Sequence, residues 1–307
     1  MERIYILGLG NVGKLLAHAV RTLPEQPKVT LLLHRESLLE EWEAGGKSVV
    51  VEGEDGINCS TGYDVELVVP DQRISAPIHH LFVATKTFTT ASALESIRDR
   101  ISSTTRIYFF QNGIGTVDEV LQKVFPDSHP APLLFQGILF HGTQPLDDYA
   151  LRMLQKCPQL NTVIVPEDEL YFTQLEKLAV NAIINPLTAI SDAPCGMLKP
   201  QEATVSKVVR EIAREISTIL CALPEIAGNV DLKARYGMER LEALVYKTAR
   251  ICGDDFAPSM LDDVRARRQT EIHHINGFLL RRAEELKIPC PVNRTLVQLV
   301  EAKAARM

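Results

Sequence analysis

The stretch Ile4-Tyr5-Ile6-Leu7-Gly8-Leu9-Gly10-Asn11-Val12-Gly13 decides how the rest of the chain is read. Four apolar or aromatic residues suit a buried strand, and from Val12 the apolar residues recur at helical spacing, so the glycines lie between a strand and a helix. In that context Gly8, Gly10 and Gly13 form a meaningful G-x-G-x-x-G. Gly8 permits a tight turn, Gly10 lets the backbone approach a pyrophosphate, and Gly13 lets the helix pack closely on the strand. Leu9, Asn11 and Val12 complete the loop, with the Asn11 side chain beside the phosphates. The helix N-terminus presents free N–H groups and the positive end of its dipole to such an anion. A tight turn with no ligand is the other reading of the same residues.

Outward from this turn, short apolar runs predict strands over 4–7, 29–33, 49–51, 66–69, 81–84, 107–110, 133–139 and 162–165, with helices over 12–23 and 91–101. Alternation of this kind implies a parallel sheet covered by helices. Beyond Leu170 only helical periods remain, over 172–184, 204–223, 239–251, 259–286 and 296–304. The boundary falls near Pro166. Residues 1–166 are predicted to be a Rossmann-type nucleotide-binding domain, and residues 167–307 an all-helical substrate and catalytic domain.

Composition sets outer bounds. The 307 residues carry 33 Lys and Arg against 39 Asp and Glu, a net charge of −6, which argues against nucleic acid as a partner. The 46% apolar and 23% charged fractions are those of an ordinary globular chain. No window has the ~20 apolar residues of a bilayer span, so no membrane partner is expected. Met1-Glu2-Arg3 runs straight into the first strand with no signal peptide, and a cytoplasmic location is expected. The six cysteines form no C-x-x-C pair and read as reduced core thiols. No metal is called for. The long apolar helices would permit a homodimer.

The second strand ends in Leu33-His34-Arg35-Glu36. An NAD-binding unit places an acidic residue here for the ribose hydroxyls, whereas a guanidinium forks onto a phosphate. Arg35 therefore points to NADP(H), with Glu36 serving NAD as the alternative. Further on, Lys177, Asn181 and Asn185 share one helix face at i, i+4 and i+8. One lysine and two amides fit a desolvated pocket better than a wet surface. Burial would lower the lysine pKa toward neutrality and let it deliver a proton. Ser259 reads as a helix cap, with Asp262 completing a capping box. Glu271 sits at the edge of the same helix's apolar face, either as a salt-bridge partner of Arg267 or Arg268 or as a site residue.

Taken together these segments resemble the ketopantoate reductase (2-dehydropantoate 2-reductase) family, in a style similar to its fungal members. The resemblance runs the whole length. It rests on 8–13, Ala84-Thr85-Lys86-Thr87, Gln111-Asn112-Gly113, the segment from Lys177 to Pro186, Ser259-Met260-Leu261-Asp262-Asp263, Thr270-Glu271-Ile272 and Ile275-Asn276-Gly277. It implies that Lys177 is the general acid and that Glu271 positions the reacting groups. Asn112, Lys177, Asn181, Asn185, Ser259 and Glu271 match substrate-binding positions. Lys86 and Asn112 match residues near the ribose and nicotinamide, and the backbone at Thr143 matches a stretch near the cofactor. One departure is Cys195-Gly196, where the family often has Asn-Gly. The implied activity is NADPH-dependent reduction of 2-dehydropantoate to pantoate, in pantothenate biosynthesis. The alternatives are reduction of another 2-oxo acid in secondary metabolism, or a non-catalytic NADP(H)-binding regulator.

Overall fold

The computed structural model describes residues 2–53, 56–68, 76–126, 131–137, 149–160 and 162–306. The elements in chain order are β1 (Arg3–Leu7), α1 (Asn11–Arg21), β2 (Lys28–Leu33), α2 (Glu36–Ala44), β3 (Val49–Gly53), β4 (Gly56–Ser60), β5 (Asp64–Leu67), β6 (His80–Val83), α3 (Thr87–Glu95), β7 (Arg106–Phe109), α4 (Thr116–Lys123), β8 (Leu133–Gln136) and α5 (Tyr149–Lys156). Then come α6 (Glu167–Ser191), α7 (Ala203–Cys221), α8 (Pro224–Ala227), α9 (Val230–Arg235), α10 (Met238–Cys252), α11 (Ser259–Arg265), α12 (Ile272–Glu285) and α13 (Pro291–Arg306). Contacts divide the chain into two compact units, Met1–Gln111 with Gly115–Leu170, and Asn112–Ile114 with Tyr171–Met307.

In the first unit six strands form one parallel sheet in the order β5-β2-β1-β6-β7-β8. Numbered within the sheet this is 3-2-1-4-5-6, the doubly wound order, whose direction reverses beside β1. Side chains alternate faces along each strand. Ile4 and Ile6 join Leu16, Val20, Leu151 and Leu154 of α1 and α5 on one face. Tyr5 and Leu7 join Leu94 and Val120 of α3 and α4 on the other. Both faces are covered, so these strands read as continuous apolar runs.

The second unit is built on α6, whose Leu175, Leu178, Ala182 and Ile183 pack with the apolar faces of α7, α10, α12 and α13. No helix among the described residues is long and apolar enough to cross a membrane.

Several sequence-derived elements change. Residues 162–165 form no strand, although Ile164 packs on the sheet's core. An apolar run records burial, and without a neighbouring strand to pair with it stays irregular. The strand expected over 49–51 is β3, which pairs antiparallel with β4 apart from the main sheet. Val69 and residues 138–139, the ends of two expected strands, lie outside the described residues. Helix α2 carries no buried residue, so it left no apolar stripe in the sequence to find. The expected helix over 259–286 is two helices, broken between Arg265 and Ile272, with Arg267 at φ +54. Ser259 does not cap: Pro258 holds the N-cap position and accepts Asp262 N at 3.2 Å. Cys157, Cys195 and Cys290 are buried thiols, but Cys59 and Cys252 are exposed rather than core.

Candidate active site

The three glycines are needed for three different reasons. Gly8 has φ +100, and a Cβ there would lie 2.6 Å from Thr85 N. A Cβ on Gly13 would lie 1.8 Å from Gly8 O, so only glycine lets α1 start this close to β1. Gly10 is the informative one. It has ordinary φ, −71, and a Cβ on it would meet no protein atom within 4 Å. Neither strain nor a neighbour demands glycine, and the open space lies at the N-cap of α1. The first-turn N–H groups of a helix have no intrahelical acceptors, and no acidic side chain occupies this first turn. An approaching phosphate fits that combination.

The neighbouring strand ends lie on the same edge of the sheet. Leu7 is in register with Leu32 of β2 and with Val83 of β6. Arg35 follows β2, exposed, at the N-cap of α2. Partial burial, and then the Arg35 charge, hold His34 below the usual histidine range. Lys86 follows β6 at the N-cap of α3. Gln111, just past β7, donates from Nε2 to Thr90 Oγ1 at 2.9 Å, and Thr90 shares a 2.9 Å hydroxyl contact with Thr85. This small polar cluster stiffens the turn after β6, and it was not anticipated from the sequence.

In the second unit a hydrogen bond and a charge interaction connect three of the expected residues. Gly113 has φ +84, and a Cβ there would lie 2.8 Å from His274 O, so glycine lets the segment 112–114 lie against the start of α12. Asn112 Nδ2 donates to Glu271 Oε2 at 3.5 Å, at the long end for a hydrogen bond. Glu271 is buried and holds the N-cap position of α12, its carbonyl accepting His274 N and Ile275 N at 2.9 and 3.1 Å. The helix dipole favours a carboxylate there. Arg268 is engaged with Asp263 at 3.0 Å, so the ion pair expected for Arg268 forms with a different carboxylate.

The Glu271 charge acts on Lys177. Lys177 is partly buried. Burial pushes it down from 10.5 to about 8, while Glu271 pulls the other way. The preceding residue anchors it: Glu176 Oε2 accepts from Arg235 and Arg240, each at 2.9 Å. Against a burial effect that raises it, Arg240 and Arg235 hold the Glu176 carboxyl below its usual range.

Asn181 and Asn185 follow on α6, one and two turns beyond Lys177, with Asn185 only 5% exposed. Ser259 is the exposed first residue of α11. Thr143 lies outside the described residues. Among those described, no cluster of His, Cys, Asp and Glu could hold a metal ion.

Two sequence families match. Residues 4–158 match the family described as ketopantoate reductase PanE/ApbA, and residues 170–304 match its C-terminal counterpart. The chain belongs to the ketopantoate reductase family. Among its relatives is a probable 2-dehydropantoate 2-reductase of Schizosaccharomyces pombe, 27% identical, with 98% of this chain and 96% of that protein covered. Another is a ketoisovalerate reductase of Beauveria bassiana, 24% identical, with 98% of this chain and 83% of that protein covered. The fold is also that of a D-mandelate dehydrogenase solved with NADH and anilino(oxo)acetate, at TM-score 0.77, 19% identity and 99% of each chain covered. The first matched segment holds the parallel sheet and the second is helical, the fold class the sequence predicted.

Proposed function

We propose that the protein reduces 2-dehydropantoate to pantoate with NADPH. The observation that carries this is partly buried Lys177, brought by burial to about 8 and acted on by the charge of buried Glu271, which Asn112 also contacts. Domain roles follow as first read, with residues 1–166 for the nucleotide and 167–307 for the acid.

The residues at the glycine turn fit a dinucleotide: the open Cβ position of Gly10 and the acid-free first turn of α1 suit its pyrophosphate. Arg35 would fork onto a 2′-phosphate, which is the basis for NADPH over NADH. Lys86, and Asn112 beside Glu271, would hold the ribose and nicotinamide end. A bound nicotinamide supplies the hydride that the carbonyl carbon of the 2-oxo acid accepts. Negative charge then develops on the carbonyl oxygen. Lys177 donates the proton from Nζ to that oxygen and regains one from solvent. A fixed donor of this kind lowers the barrier by about 3–4 kcal/mol. Glu271 keeps Lys177 oriented and accepts from the substrate hydroxyl, and Asn181, Asn185 and Ser259 bind the carboxylate and hydroxyl.

The test is loss of NADPH absorbance with 2-dehydropantoate, for wild type and Lys177→Ala. Turnover that the variant loses supports the reading. Nucleotide binding without turnover of any 2-oxo acid would return it to a non-catalytic regulator. A second reading keeps the reaction and changes the acid. It is favoured by the ketoisovalerate reductase relative and by buried Cys195, which stands where an amide is usual in the resemblance. Faster turnover of 2-oxoisovalerate than of 2-dehydropantoate would establish it.

A further inference from the structure

Pro186 lies inside α6 and has no N–H, so the carbonyl four residues back, on Ala182, lacks an intrahelical donor. A buried carbonyl left without a partner is costly. A side chain from another helix fills the gap. Asn276 Nδ2, on α12, donates to Ala182 O at 2.8 Å and to Asn293 Oδ1 at 2.9 Å. Asn293 Nδ2 donates on to Glu215 Oε1 of α7 at 2.8 Å. Glu215 also accepts the backbone N–H groups of Val292 and Asn293 at the start of α13, at 2.9 and 2.8 Å. Asn276 and Asn293 have no exposed surface.

The direction of this chain of bonds is set at one end. Glu215 as a carboxylate can only accept, so Asn293 must present its NH2 to it. Asn293 Oδ1 is then an acceptor, and Asn276 must answer with its own NH2. The second hydrogen of that NH2 is the one that reaches Ala182 O. Asn276 Oδ1 is left buried without a partner, so the donor side is where this amide is used.

The bond falls at a telling level of both helices. Ala182 follows Asn181 directly and lies little more than a turn beyond Lys177. Asn276 lies little more than a turn beyond Glu271, at whose position α12 begins. We propose that Asn276 is a positioning residue for the reduction: its amide fills the donor position that Pro186 leaves empty and holds α6 and α12 in the register that keeps Lys177 opposite Glu271. This rests on the reading of Lys177 as proton donor. A helix pair displaced by an ångström would misplace that donor, which costs on the order of a hundredfold in rate.

The experiment compares Asn276→Ala, Pro186→Ala and the double variant. Pro186→Ala restores an N–H that can reach Ala182 O from within α6, so it makes the side-chain donor dispensable. Asn276→Ala alone is expected to lose on the order of ten- to a hundredfold in kcat, with a smaller change in KM for the 2-oxo acid. In the Pro186→Ala background the same substitution is expected to change kcat by no more than about threefold, a rescue that a general loss of stability would not give. An equal kcat loss in both backgrounds would overturn the proposal, as would a lowered Tm with unchanged kcat. If Asn276→Ala does not fold, the comparison of Pro186→Ala with the double variant still decides it. The side-chain resonance of carbon-labelled Lys177 in ligand-free protein gives a readout independent of turnover. It should move in Asn276→Ala and return in the double variant; an unmoved resonance also overturns the proposal. Wild-type protein that turned over no 2-oxo acid would sink the reductase reading alone, leaving the tether to be judged by that resonance.

Discussion

Lys177 sits where a charge is disfavoured, and two measurements follow from that single residue. As a proton donor with a pKa of about 8, it should give kcat/KM for reduction that is level below pH 8 and falls about tenfold per unit above it. A pH-rate profile with no break between 7 and about 9 would remove Lys177 from the role. The stability consequence has the opposite sense to an ordinary ion pair. The folded pKa lies below the unfolded 10.5, so the unfolded chain binds the extra proton between about 8 and 10.5. The charge therefore destabilises the fold below pH 8, and the penalty is relieved as pH rises through that window. Lys177→Met should be more stable than wild type at pH 7, by on the order of 2–3 kcal/mol, with the gap closing toward pH 10.5 while activity is absent. Denaturant unfolding at several pH values reads this directly. Arg35 makes a third residue-scale case: Arg35→Ala should weaken NADPH by about ten- to a hundredfold and leave NADH within about threefold, as expected for charge-assisted bonds to one phosphate. Equal weakening of both nucleotides, measured by titration, would leave Glu36 as the ribose residue.

At the scale of elements, the strand–turn–helix at the start of the chain separates packing from binding within one motif. Gly13→Ala drives a Cβ to 1.8 Å from Gly8 O and should destabilise the protein by on the order of 3 kcal/mol, because backbone must move. Gly10→Ala meets no protein atom within 4 Å and should leave Tm unchanged, yet weaken NADPH at least about tenfold, because the new methyl stands where the phosphate approaches. Thermal melts with and without NADPH distinguish the two, and a Gly10→Ala protein that binds normally would remove the pyrophosphate reading. Two of the helices that escaped the sequence share a physical cause. Helix α4 buries only Thr116 and Val120, and α2 buries nothing, so neither imposes an apolar period. The break between α11 and α12 escaped for the reverse reason. Val264, Ile272, Ile275 and Leu279 are all buried, and their spacing mimics one continuous helix across the turn.

For the whole molecule, ligand linkage gives the broadest test. NADPH at a hundredfold its Kd should stabilise the folded chain by about 2.7 kcal/mol, and Gly10→Ala should lose about half of that or more at the same concentration. The sequence by itself determined the glycine turn, the run of strands and then helices, and the polar stripe from Lys177 to Asn185. Each of these is a local pattern, set by residues near one another along the chain. Only the tertiary structure decided that Glu271 ends up in the field of Lys177 while Asp263 takes Arg268. Spacing along one chain cannot rank competing partners, because the choice is made where helices pack. The same holds for Asn276 and Ala182 O, separated by 94 positions in sequence. The sequence reading ended this helix at 184, short of Pro186; only the structure carries α6 through Pro186 to Ser191 and so leaves the Ala182 carbonyl without its intrahelical donor. Which side chain answers is fixed by the packing of α6 against α12, since a hydrogen bond needs its two atoms within about 3 Å, and only the fold brings them there.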